Sequence, residues 1–128
     1  MEYYFSKTLN LSFEQAKIHV TEALKTKGLG IVSEISMHEK FKEKLNVDFK
    51  RYLILGACSP SHAYKAVQHE DKIGTMLPCN VLVIEQKSGQ IEIAAVNPLA
   101  SMQAISNPEL GIVAEEITNI LKTVIENL

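Results

Sequence analysis

Two cysteines and one histidine mark the place where this 128-residue chain has the residue types for chemistry. Cys58 lies in Leu53-Ile54-Leu55-Gly56-Ala57-Cys58-Ser59-Pro60, and Cys79 in Met76-Leu77-Pro78-Cys79-Asn80-Val81-Leu82-Val83. Each phrase joins an apolar, strand-like run to a cysteine and a turn-forming proline. Ser59-Pro60 reads as a helix start, with Ser59 as N-cap and Pro60 at the first helical position. Cys58 therefore precedes a helix N-terminus, where free amides and the positive dipole end favour a thiolate. Strands that flank a crossover helix often become neighbours, so Cys79 is expected near Cys58, as a dithiol, a metal pair or a peroxide-sensing site. His62, on the first helical turn, would join as a third ligand or as a base. The ligand-binding or redox candidates are Cys58, Cys79, His62 and Asn80; the metal candidates are Cys58, Cys79 and His62.

A plainer reading competes. Free cysteine is among the most often buried residue types and packs as a small apolar group. The spacing is not Cys-x-x-Cys, so neither a zinc knuckle nor a thioredoxin motif is present. His19, His38 and His69 read as surface histidines, His69 being favourable at a helix C-terminus on dipole grounds alone. Glu70 and Asp71 read as solvated loop charges. The serines offer no nucleophile with an evident base beside it. Gly28-Leu29-Gly30 follows a helix, whereas a dinucleotide fingerprint follows a strand and opens one. No catalytic identity emerges, and enzyme activity is not the favoured expectation.

The elements that position these residues are easier to read. Glu2 to Thr8 forms a first strand. Ser12 and Gln15 form a capping box ahead of Phe13, Ala16, Val20, Ala23 and Leu24 at helical spacing, with Gly28 where that helix ends. Gly30 to Met37 alternates as a strand, with Ile31, Ser33, Ile35 and Met37 on one face. His38 to Leu45 is a short charged helix, and Arg51 to Ala57 a central strand. Pro60 to His69 is a helix with Ala63, Tyr64 and Val67 inward, followed by a polar loop from Glu70 to Met76. Cys79 to Gln86 and Ile91 to Val96 make a hairpin around Lys87-Ser88-Gly89-Gln90, and Pro98 ends its second strand. Leu99 to Ser106 is ambiguous. Asn107 and Pro108 start a last helix whose stripe, from Leu110 to Leu128, needs a large cover: the sheet or a second copy of the chain.

The chain reads as one domain spanning residues 1–128, with an α+β architecture: a mainly antiparallel sheet with helices packed on one face. Hydrophobic residues make up 46% of it, enough for a core without a disulfide or metal staple. A formal charge of −2 gives no basic excess to grip nucleic acid or an anionic membrane. No run reaches the roughly 18 apolar residues of a membrane span, and the N-terminus lacks signal-peptide features. A cytoplasmic location is the simplest expectation.

Four segments carry a family resemblance: Ile54-Leu55-Gly56-Ala57-Cys58-Ser59-Pro60, Ala63-Tyr64-x-Ala66, Ile73-Gly74 and Leu77-Pro78-Cys79-Asn80-Val81. In order and spacing they resemble the domain of unknown function 302 family, and Asn97-Pro98 followed by Met102 resembles its stretch after the hairpin. Ser59 stands where Asn is expected, and Thr75-Met76 replaces a more aliphatic pair. The resemblance implies a curved antiparallel sheet covered by helices, similar to the TATA-box-binding-protein-like fold, in a small protein that forms homodimers or other homo-oligomers. It implies no established activity. The expectation is a non-enzymatic, self-associating protein that binds a small molecule or a partner, with no cofactor unless a bound metal ion. The alternative is a thiol-redox or metal-binding protein using Cys58 and Cys79.

Overall fold

A computed structural model describes all residues, Met1–Leu128. Its centre is a five-stranded sheet in the order β1-β5-β4-β3-β2, antiparallel at every pairing. The strands are β1 (Tyr4–Leu9), β2 (Gly30–Ser36), β3 (Tyr52–Cys58), β4 (Cys79–Lys87) and β5 (Gln90–Val96). Strands β2 to β5 follow one another across the sheet, and β1 closes the far edge beside β5, with Tyr4 opposite Val96.

Alternation in the central strands sorts their side chains onto two faces. Leu53, Leu55, Ala57, Val81, Val83, Ile91, Ile93 and Ala95 are buried in the main core. Helices α1 (Phe13–Thr26) and α5 (Pro108–Glu126) cover them, contributing Phe13, Ala16, Val20, Leu24, Ile117, Leu121, Val124 and Ile125. Each fully buried leucine or isoleucine contributes roughly 1.5–3 kcal/mol of transfer free energy before entropy is counted. The α5 stripe is thus covered by the chain's own sheet and by α1, and gives no reason of its own for a second copy.

The caps account for the helix starts. Ser12 Oγ accepts from Gln15 N, and Gln15 Oε1 accepts from Ser12 N, closing the capping box that opens α1. Asn107 Oδ1 accepts from Glu109 N and Leu110 N at the start of α5. Between these lie α2 (Met37–Leu45), α3 (Pro60–His69), a 3-10 segment over Asp71–Met76 and the four-residue α4 (Pro98–Ser101).

Four local expectations change. The bulge between Ile31 and Ser33 breaks the alternation of β2: Ile31 pairs with Ala57 on the core side, whereas Ser33 and Ile35 pair with Gly56 and Ile54 on the other. Met37 opens α2 instead of closing β2. In α3 Ala66 is buried and Ala63 half-buried, while Tyr64 and Val67, expected inward, are exposed, because this helix packs chiefly on α5 and the 3-10 segment. The polar loop is that 3-10 segment, pinned by fully buried Ile73 against Ala66, Leu110 and Val113.

Candidate functional site

Strand β3 ends and β4 begins beside the start of α3, and the turn into α3 brings the first site together. Ala57 pairs with Cys79, so Cys58 lies one residue beyond its partner strand's start. Cys58, half-buried, and Cys79, 8% exposed, line one cavity with His62 and Ser59. Its remaining walls are apolar, built from α3, α5, Leu77 and Pro98. The cavity measures about 30 Å³, room for one or two water molecules.

Both cysteines are free thiols. Burial pushes the Cys79 thiol up to about 11, and charge on Cys58 adds to the rise. Cys79 therefore carries little thiolate at neutral pH, and a nucleophilic role falls to the more accessible Cys58. No three His, Cys, Asp or Glu side chains are arranged to hold a metal ion. Cys58, Cys79 and His62 thus share a wall without forming a coordination set. Asn80 is separated from them by the pleat: it is exposed on the opposite face of the sheet.

One feature of the cavity wall overturns the reading that no serine has a base beside it. Ser59 Oγ lies 2.8 Å from His62 Nδ1, and His62 Nε2 lies 2.8 Å from Glu116 Oε2. A carboxylate can only accept, so Nε2 carries the proton toward Glu116. In neutral His62 the Nδ1 lone pair then faces the Ser59 hydroxyl, which donates to it. Ser59 Oγ takes no backbone amide of the helix it precedes. The residue expected as a cap is instead the first member of a Ser–His–Glu chain. Serine followed three residues later by histidine at a helix start was visible in the sequence. Glu116 was not, because it comes from α5, which only packing brings beside α3.

A second site lies across the sheet. Its uncovered face bears an open groove of about 420 Å³, lined by Tyr3, Tyr4, Tyr52, Leu82, Ile84 and Val96, with Asn80 and Glu92 as polar groups. Phe49 leans on Tyr52, their ring centroids 6.5 Å apart, and Phe41 stacks edge-on against Phe49 at 5.4 Å. These aromatics extend the apolar surface from the groove to α2.

An α+β domain with one bare sheet face and a thiol-lined cavity at its strand ends is the class these features define. A family model, the domain of unknown function DUF302, matches residues 5–128, and the chain belongs to that family. The chain is similar to the crystal structure of an uncharacterised conserved DUF302 protein from Bacillus stearothermophilus. The two share 24% identity, each covers 98% of the other, and the TM-score is 0.89, which speaks for the fold. No curated protein matches the chain. No helix is long and apolar enough to cross a membrane.

Proposed function

We propose that this chain is a binding domain whose uncovered sheet face takes a flat, apolar small molecule bearing a hydrogen-bond donor. The groove carries this reading. Its size falls in the range of small-molecule sites, about 300–1,000 Å³, and its walls are mostly apolar with a few polar groups. Tyr4 and Tyr52 present ring surface, and the Glu92 carboxylate accepts hydrogen bonds while disfavouring anionic ligands. That charge, with the chain's net −2, argues against nucleic acid as the occupant.

The test is fluorescence of the neutral N–H-bearing probe N-phenyl-1-naphthylamine on the wild type and on Leu82→Asp, beside sedimentation velocity. Enhancement in the wild type that disappears in Leu82→Asp, with unchanged circular dichroism, supports the reading. Equal enhancement in both proteins overturns it. A wild-type dimer that Leu82→Asp dissociates gives the face to a second copy of the chain instead.

One observation favours a second reading: two free thiols line the same cavity, close enough for charge on one to shift the other. A peroxide would oxidise Cys58 to a sulfenic acid, releasing an alcohol or water, and Cys79 would displace water to form a disulfide. Intact mass after peroxide treatment decides it. Loss of two hydrogens that Cys79→Ala prevents supports the pair; stable oxygen addition on Cys58 alone removes it.

A further inference from the structure

We infer that Ser59, His62 and Glu116 form a nucleophilic centre for acyl transfer from small esters, distinct from the sheet-face groove. Three observations converge on it. The hydrogen-bonded chain is continuous, 2.8 Å at each link, with its proton order fixed by the acceptor-only carboxylate. An imidazole so placed activates a hydroxyl while an acid orients the ring, with the two ring nitrogens exchanged relative to the Ser–His–Asp triad. The Ser59 hydroxyl also takes no backbone amide of α3, as Ser36 takes none of α2, whereas Ser12, Asn97 and Asn107 accept from backbone amides of the helices they precede. Finally, Ser59 and His62 stand in the wall of an apolar cavity, and the His62 side chain is 18% exposed. That is room for an acyl group to sit inside and a leaving group to stay outside.

The local backbone supplies a further element. Pro60 has no N–H, and the first amide of α3 to find a main-chain acceptor is Ala63, which donates to Ser59 O. The amides of Ser61 and His62 lie in the first turn, where helices leave donors unpaired, and the Ser59 side chain does not take them up. They are the donors the first turn leaves for the carbonyl oxygen on which negative charge develops under attack.

The chemistry balances without an oxidant or metal. Ser59 Oγ bonds to the ester carbonyl carbon as its proton passes to His62 Nδ1. The carbon–oxygen bond to the alcohol breaks, and the alcohol leaves with the proton from Nδ1. Water then attacks the acyl-serine, giving a proton to Nδ1, and the carboxylic acid departs as Ser59 recovers its hydrogen. Ser59 and His62 are the catalytic residues, and Glu116 is a positioning residue acting through the imidazole. The 30 Å³ cavity limits the acyl group to about the size of acetyl.

The experiment follows p-nitrophenyl acetate turnover by the full chain, with peptide mass mapping after acid quench. The expected results are an acetyl group on Ser59, a rate about tenfold or more lower in Ser59→Ala and His62→Gln, and markedly slower turnover of the butyrate ester. Acetyl found only on Cys58 or lysines, or an unchanged rate in Ser59→Ala, overturns the proposal. Glu116 is half-exposed, so Glu116→Gln tests the relay even where a Ser59 variant does not fold. It should lower kcat with KM unchanged; an unchanged kcat removes Glu116 from the centre and the three-residue proposal with it.

Discussion

Gly56 shows how much one side chain decides. It lies on β3 beside Ser33 of the bulged edge strand and Pro78 at the start of β4, and a Cβ there would overlap Ser33 Oγ and come within 2.6 Å of Pro78 Cγ. Ser33 is held by its pairing with Gly56, and Pro78 directly precedes β4. Gly56→Ala should therefore destabilise the fold by about 1–3 kcal/mol, the usual cost of forcing extra volume into a packed site. Ser33→Gly in the same chain should recover part of that loss. Urea denaturation of the single and double variants measures both, and additive effects would show that Ser33 is not the obstacle. Glycine between two apolar residues was legible in the phrase that carries the family resemblance. The reason for it was not, because the obstructing serine comes from a strand whose register depends on the bulge at Val32.

Arg51 links elements that the sequence left separate. Its guanidinium makes a fork with Glu85 of β4, Nε to Oε1 at 3.0 Å and Nη2 to Oε2 at 2.8 Å, and Nη1 reaches Glu14 of α1 at 2.6 Å. It also lies over the Phe13 ring, 4.7 Å from its centroid. The hydrogen bond from Arg51 holds the Glu85 carboxyl below its ordinary value. Glu14 is lowered first by its own backbone N–H in the first turn of α1 and then by Arg51. A carboxyl whose folded pKa is depressed contributes stability that is present above its unfolded pKa and lost as pH falls through the folded one. Melting temperature should therefore drop as pH is lowered below about 4.3, the ordinary glutamate value. In Arg51→Gln the acid-side drop should be shallower. Equal drops in the two proteins would mean that the network is screened into insignificance. Such links explain where sequence reading stops. The helix starts at Ser12, Pro60 and Asn107 were legible because capping is local, and hairpin β4–β5 because Gly89, at φ +76, marks its turn. The buried side of α3, the role of Glu116 and the Arg51 fork all depend on which distant element arrives beside them.

At the scale of the molecule, the helices have committed to one face of the sheet and left the other to the solvent. The apolar stripe of α5 finds its cover within the chain, so the surface that still asks for a partner is the one bearing Tyr4, Tyr52, Leu82 and Val96. The two sites are thus divided by the sheet. The groove lies on its bare side, while Cys58, Cys79 and the Ser59–His62–Glu116 chain gather at the strand ends beside α3 and α5. Cys79 and Asn80, adjacent in the family phrase, face different sites because successive strand residues point opposite ways. Occupation of one site need not obstruct the other.

The strand order carries a kinetic consequence. Strands β2 to β5 pair with their chain neighbours, but β1 waits for β5, which comes after β2, β3 and β4 in the chain. Closing so long a loop costs entropy before any contact offsets it, so docking of β1 is expected after the rate-limiting step. Until then, β5 is an open edge able to pair with another chain. Leu9→Ala, in the buried end of β1, should raise the unfolding rate and leave the folding rate nearly unchanged in stopped-flow denaturant experiments. A slowed folding limb would place β1 in the nucleus instead.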